Sequence, residues 1–400
     1  MRSNTACNNK FLKEFNQTSI LEMVRVHKAI SRAKLSRLTG LTPTSISGIV
    51  SELLKMGYIS ERGIGESKGG RKPKLVELKP DSLYAVGVDI DVNYISIILM
   101  DSTSRIIEEK RLMTPKTMVF EKVMDVIRIE INKIVEERSI SVERLLGIGM
   151  SVPGIVDPGS CKVVLAPDLG WENVSVKDQF PDFKGIKVYV ENEAMASAIS
   201  ENWMGCCQGT SDFICINIKS GLYSGIFIDG RPYRGAGGKS GEIGHIVVDE
   251  HGPRCVCGNY GCLITKASTK PMVEQAKKLV RQGIVSKLNE IEDIEEISVE
   301  FIVECARDGD EAARHILLES ARFFGIAISN IVNILNPQKI VLGKEFLKYS
   351  DIVLDYIKEI VMIRARKQPA QDVEITVSGL GERASVLGAA IIPLKVFFGK

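Results

Sequence analysis

Four residues of the kinds that bind soft metals fall in one stretch of this 400-residue chain. His245 is followed by Cys255, Cys257 and Cys262, a His-x9-Cys-x-Cys-x4-Cys spacing. Thiolate and imidazole are the ligands that tetrahedral zinc prefers, and four of them close a structural site. Gly258 and Gly261 stand where the backbone must turn tightly for Cys257 and Cys262 to reach one ion. The spacing therefore predicts a structural zinc knuckle. The other use of such thiols is a disulfide, but the polar N-terminus has no apolar signal core, which predicts a reducing, cytoplasmic setting. The remaining cysteines, including the adjacent Cys206 and Cys207, then read as reduced packing residues.

The elements that must position these ligands belong to a chain too long for one core, so two or three domains are expected. A hydrophobic fraction of 44% with 26% charged residues is that of a globular protein. The longest apolar runs, such as residues 94–100, are too short to span a membrane, and no membrane partner is expected. The net charge of +2 is unevenly spread. Residues 1–80 hold 15 Lys and Arg against 6 Asp and Glu, a net of +9, so the rest carries −7. A small basic domain on a mildly acidic body predicts a polyanion as partner of the first domain.

The pattern in that first domain is helical. Apolar residues at 20, 21, 24 and 26 suit a helix over Ser19–Ala29. Ser31 reads as the N-cap of a short helix to Leu38, with Arg32 in its first turn; Gly40 supplies the turn. Thr42 caps a third helix, with Pro43 at its first position and Gly57 at its end. Helix, glycine turn and helix is the helix-turn-helix layout. Ile46, Ile49, Val50, Leu53 and Leu54 then face a core, Thr44, Ser45 and Ser47 face outward where a recognition helix meets base edges, and Ser31, Arg32 and Thr42 are expected as further DNA-binding residues. Tyr58-Ile59 and Leu75–Leu78 flank the segment GIGESKGGRKPK, the pattern of a hairpin wing in which Arg71 and Lys72 would enter a minor groove. A flexible linker and a small helical adaptor are the plainer readings of the same residues.

From Tyr84 the pattern is that of strands. Ala85–Asp89 and Tyr94–Met100 predict a hairpin continued at Arg105–Leu112, then a helix at Val119–Glu137 and a strand at Leu145–Met150. Val188–Val190 predicts a strand feeding a helix at Glu193–Gly205. Phe213–Ile218 with Gly225–Ile228 predicts a second hairpin, and Ile340–Leu342 a later strand. Two β-rich segments, each followed by helices, predict two similar α/β lobes.

This combination resembles the ROK family (repressors, open reading frames, kinases). The residues that carry the resemblance are the winged-helix pattern, EIGH at Glu242–His245, CVCGNYGC at Cys255–Cys262 and IDG-x-x-YRG at Ile228–Gly235. The resemblance implies an actin-like, sugar-kinase and ribonuclease H-like body, with domains at 1–79, 80–200 and 201–400 and the last helix returning to the first lobe. It also implies that His245, Cys255, Cys257 and Cys262 hold zinc. Ser151, Pro153, Gly154, Asn173, Asn192, Glu193, Glu242 and His245 would line a sugar pocket, His245 offering its second nitrogen to the ligand. Trp171 sits in the family's Trp-x-Asn segment, with core packing as its alternative role; capping of helix ends is the alternative for Asn192 and Glu242.

The kinase elements of that family are altered here. Asp89-Ile90-Asp91-Val92-Asn93 lacks both glycines of the first phosphate turn. Leu222 and Tyr223 interrupt the second, Lys344 replaces the second glycine of a pair, and Glu193 stands for the catalytic Asp. Ile264 replaces a sugar-binding Glu. Phosphate turns need backbone N–H groups that bulky residues keep away, so no enzyme activity is expected. The expectation is a sugar-responsive repressor of carbohydrate genes, a homodimer or dimer of dimers on double-stranded operator DNA. An ATP-dependent sugar kinase and a regulator answering to a protein partner are the alternatives.

Overall fold

The computed structural model describes residues 9–64, 74–181, 183, 185–219 and 221–399, with side chains of 9–11 and 64 excepted. Arg71 and Lys72 lie outside the described residues. The chain divides into two compact units, Met1–Glu191 with Ala389–Lys400, and Asn192–Gly388. The division thus falls just before the helix that was expected to cross it, rather than at residue 200.

The first unit opens with α1 (Asn9–His27), β1 (Ile30–Ser31), α2 (Arg32–Thr39), α3 (Pro43–Met56), β2 (Ile59–Ile64) and β3 (Lys74–Leu78). The strands form one antiparallel sheet in the order β1-β3-β2. Helix α1 already runs at Asn9, the first described residue and ten positions before the start that its apolar pattern predicts. Thr18 and Ser19 donate to the carbonyls of Glu14 and Phe15 at 2.8 Å, so they sit inside a helix rather than at its cap. The other ends follow the sequence. Ser31 Oγ accepts from Lys34 N–H and Thr42 Oγ1 from Ser45 N–H, and Gly40 and Gly57 end their helices in the left-handed region. Ile20, Val24, Leu35, Ile46, Val50, Leu53 and Val76 are fully buried between these elements. Each such side chain stabilises the module by about 1.5–3 kcal/mol. Ile49 and Leu54 are only half-buried.

The rest of the unit holds β4 (Tyr84–Ile90), β5 (Tyr94–Asp101), β6 (Ile106–Met113), α4 (Phe120–Glu137), β7 (Leu145–Val152), β8 (Ile155–Asp157), β9 (Lys162–Ala166), β10 (Trp171–Ser175) and β11 (Lys187–Asn192). Five strands make a sheet in the order β11-β7-β4-β5-β6, and β8–β10 make a small separate sheet. Every residue of β4 is buried, which is why it reads as an apolar run broken only at Asp89 and not an alternation.

The second unit contains α5 (Glu193–Met204), β12 (Phe213–Ile218), β13 (Leu222–Ile228), β14 (Arg231–Tyr233), α6 (Ile264–Ala267), α7 (Thr269–Arg281), α8 (Val299–Arg307) and α9 (Glu311–Leu335). It continues with β15 (Lys339–Lys344), α10 (Ser350–Arg364), α11 (Lys367–Asp372), β16 (Glu374–Val377) and the start of α12 (Ala384–Phe397). Its sheet runs β14-β13-β12-β15-β16, the same order as the first. In both, three antiparallel strands are followed, on the far side of the first of them, by two later strands. β4–β7 and β12–β15 are the parallel pairs that begin this second half.

Helix α9 is long and apolar enough to cross a membrane, against the expectation that no segment is. Most of its apolar window is buried, and Ile316, Leu317, Phe324 and Ile328 form the centre of the second unit's core. It has the makeup of a core helix, apolar because it is packed on several sides.

From Ala389 onward α12 belongs to the first unit. Phe397 meets the Tyr58 ring edge-on with centroids 5.5 Å apart, Phe398 is 2% exposed, and Gly399 lies beside Thr18 of α1.

Candidate functional site

The second hairpin positions the first group of site residues. Gly241 presses onto β13, where a Cβ would lie 2.0 Å from Ser224 O, and its carbonyl accepts from Ser224 N–H at 2.8 Å. The chain leaves this clamp into a short 3-10 turn, Ile243–His245, whose first carbonyl, that of Glu242, accepts from His245 N–H at 3.1 Å. Glu242 and His245 are thereby fixed one turn apart. Burial raises the Glu242 carboxyl above the usual carboxylate range.

His245 then meets the three cysteines. The four ligand atoms lie within 4.8 Å of one another. His245 Nδ1 is 3.5 Å from Cys255 Sγ, and Cys257 Sγ is 3.7 Å from Cys262 Sγ. Ligands about 2.3 Å (sulfur) and 2.0–2.1 Å (nitrogen) from a tetrahedral centre are separated by roughly 3.5–3.8 Å. The cluster therefore has the spacing of a tetrahedral metal site. A tight loop makes it. Cys255 N–H donates to Asn259 O at 2.7 Å and Gly261 N–H to Pro253 O at 2.8 Å. Gly261 has φ 63°, and a Cβ there would lie 1.5 Å from Asp249 O, so only glycine fits. With Nδ1 on the cysteine side, His245 keeps Nε2 for another partner.

The other pocket residues fall into two sets. Asn192 caps α5, its Oδ1 accepting from Ala194 N–H at 2.8 Å. Glu193 is the first residue of that helix and is buried. Its Oε2 stands 3.5 Å from Lys219 Nζ and has no hydrogen-bond partner among the described residues. The sequence reading missed this ion pair, because residues 193 and 219 are joined only by the packing of α5 on β12. These residues lie in the second unit with Glu242 and His245.

Ser151, Pro153, Gly154 and Asn173 lie in the first unit. Ser151 is fully buried and donates to Asp89 Oδ1 at 2.6 Å, tying β7 to β4. Gly154 packs against β9, where a Cβ would lie 2.4 Å from Leu165 O. Pro153 is half-buried, and Asn173 is exposed with φ 52°. Trp171 is a core residue: it is 3% exposed, bonds Met118 O at 2.7 Å through its indole N–H and meets Phe120 edge-on.

In the N-terminal module Ser31 and Thr42 serve as caps, and Arg32 pairs with Glu61 at 3.3 Å. Thr44 and Ser45 are exposed at the start of α3, whereas Ser47 is half-buried.

The ROK family profile matches residues 85–396. This chain belongs to the ROK family. It is 35% identical to the xylose repressor of Caldicellulosiruptor bescii over 95% of this chain and 96% of that one. It is 31% identical to the xylose repressor of Bacillus subtilis over 97% of each. It is 26% identical to the Escherichia coli DNA-binding transcriptional dual regulator NagC over 95% of this chain and 93% of that one. Among solved structures, a ROK family transcriptional regulator homologous to E. coli MLC covers 97% of both chains at 27% identity with a TM-score of 0.85. The ROK glucokinase of Streptomyces griseus, solved with glucose and AMPPNP, covers 77% of this chain and 98% of its own at 29% identity and a TM-score of 0.67.

The segments that the sequence reading takes for altered phosphate elements have definite geometry. Asn93 N–H is taken by Asp91 Oδ1 at 2.9 Å. The Tyr223 ring covers Gly221, where a Cβ would lie 2.3 Å away. Lys344 sits at φ 61°, ψ −128°, a conformation suited to glycine, and its buried ammonium bonds Ser385 Oγ at 2.5 Å and Glu382 O at 3.3 Å.

Proposed function

We propose that this ROK protein is a sugar-responsive transcriptional repressor that binds its effector without phosphorylating it. The observation that carries the reading is coverage. The kinase structure covers 77% of this chain, a share like that of the family profile over residues 85–396, whereas the regulator and the first named repressor cover 97% and 95% and so extend into the module of α1–α3 and β1–β3. On this reading the module is a winged helix-turn-helix. Helix α3 enters the major groove, with Thr44 and Ser45 at base edges, and the β2–β3 hairpin with Arg71 and Lys72 is the wing. Two-fold operators call for a homodimer or dimer of dimers acting in the cytoplasm.

The effector is a sugar. Glu242 and His245 Nε2 supply hydrogen bonds to hydroxyls from one rigid turn, and Glu193 with Lys219 offers an acceptor and a donor nearby. His245, Cys255, Cys257 and Cys262 would hold zinc, which supplies a fixed cation that orients the imidazole. The non-enzyme assignment is supported by Asp91, Tyr223 and Lys344, which fall in the segments where the resemblance calls for phosphate-binding glycines. Two measurements test the reading. Removing residues 1–79 should abolish retention of every duplex enriched by the full chain while the body stays folded. Duplex binding by that shortened chain would refute the operator assignment. ATP with magnesium and a panel of pentoses and hexoses should yield no sugar phosphate; turnover of any of them would refute the non-enzyme assignment.

A further inference from the structure

Glycine in the middle of a helix destabilises it relative to alanine, so each instance needs a reason. Packing supplies that reason for two mid-helix glycines of this chain. A Cβ at Gly325 in α9 would lie 2.6 Å from the Ile360 side chain, and one at Gly388 in α12 would lie 1.8 Å from Ala196 O. Gly48, in the middle of α3, is different. It is exposed, it is not among the residues with positive φ, and a Cβ there would meet nothing within 4 Å. The fold itself has room for a Cβ at this position. Gly48 stands on the side of α3 opposite the buried Ile46, Val50 and Leu53, one turn after the exposed Thr44 and one turn before the exposed Ser51. Those neighbours keep side chains and Gly48 has none.

We infer that Gly48 is the point of closest approach between α3 and the operator duplex, a specificity-determining residue that acts through its missing side chain. The inference rests on the operator-binding reading. A bare backbone in the major groove leaves space for the bulkiest feature of a base edge there, the 5-methyl group of thymine, which a Cβ would exclude.

The test uses the full chain and duplexes that it enriches from a pool with a randomised core. Gly48→Ala should melt no lower than the parent, because alanine is the better helix residue. Its affinity for the enriched duplexes should nevertheless fall about tenfold, the usual effect of one mismatched position. Renewed enrichment with Gly48→Ala should return a different base at one position of each half-site. Binding by Gly48→Ala within twofold of the parent would overturn the inference while leaving the operator reading intact. A lower melting temperature would also overturn it, since the fold itself would then require the glycine. If the parent chain enriches no duplex, both fall together.

Discussion

At the scale of single residues, the metal cluster is the part most legible in the sequence, since four ligands fall within eighteen positions and one local loop gathers them. Cys257→Ser should therefore lose metal, measured by metal content per chain, and lower the melting temperature, because the loop's folding is coupled to the ion. Gly261→Ala should do the same with all four ligands intact, since its methyl collides with Asp249 O; retention of metal by that variant would show that the loop can rearrange. Residue types alone did not disclose the pairings that cross the sequence. Ser151 with Asp89, and Glu193 with Lys219, depend on which strands and helices pack together. Lys344 illustrates a further limit: only the structure displays that its backbone adopts a conformation suited to glycine. Lys344→Gly should consequently be more stable than Lys344→Ala by about 1–2 kcal/mol in denaturant unfolding, because only glycine adopts that conformation without strain.

At the scale of elements, helix ends were legible where a cap or a left-handed glycine marks them, as at Ser31, Gly40, Thr42 and Gly57. The start of α1 was not, because Thr18 and Ser19 have the composition of a cap while bonding back into a helix already running. Strands β8–β10 and most helices of the second unit were also missed; short strands and helices buried on several sides lack a clean period. Removing the α3 cap with Thr42→Ala should destabilise the N-terminal module by about 1 kcal/mol. Hydrogen exchange should then rise in α3 before it rises in β12 or β15. Phe398→Ala should cost about 3–5 kcal/mol if its surroundings do not collapse. The faster exchange should be found in α1 and around Tyr58, far away in sequence; exchange confined to α12 would show that the end of the chain does not support the module.

At the scale of the whole molecule, the body's duplicated strand order was foreseeable from two β-rich segments each followed by helices, whereas the division just before Asn192 was not, because β11 and α5 run on without a linker. The proposed effector can be sought without knowing its identity. A sugar present at about a hundred times its dissociation constant should stabilise the chain by about 2.7 kcal/mol, read as a rise in melting temperature. Glu242→Ala should remove that rise and leave metal content unchanged. A persistent rise in this variant would place the sugar elsewhere. Absence of a rise with every pentose, hexose and short oligosaccharide would favour a regulator that answers to a protein partner.

The contact of Phe397 and Gly399 with Tyr58 and Thr18 also bears on how the protein is made. The module leaves the ribosome before the residues that cover it, since Phe397 follows Tyr58 by 339 positions. At about 5–20 residues per second, the module waits roughly 20 seconds to a minute with Tyr58 uncovered. A chain that stalls or is clipped before Phe397 would carry the module without this cover. Synthesis through Phe397 thus acts as a checkpoint on a module built long before it.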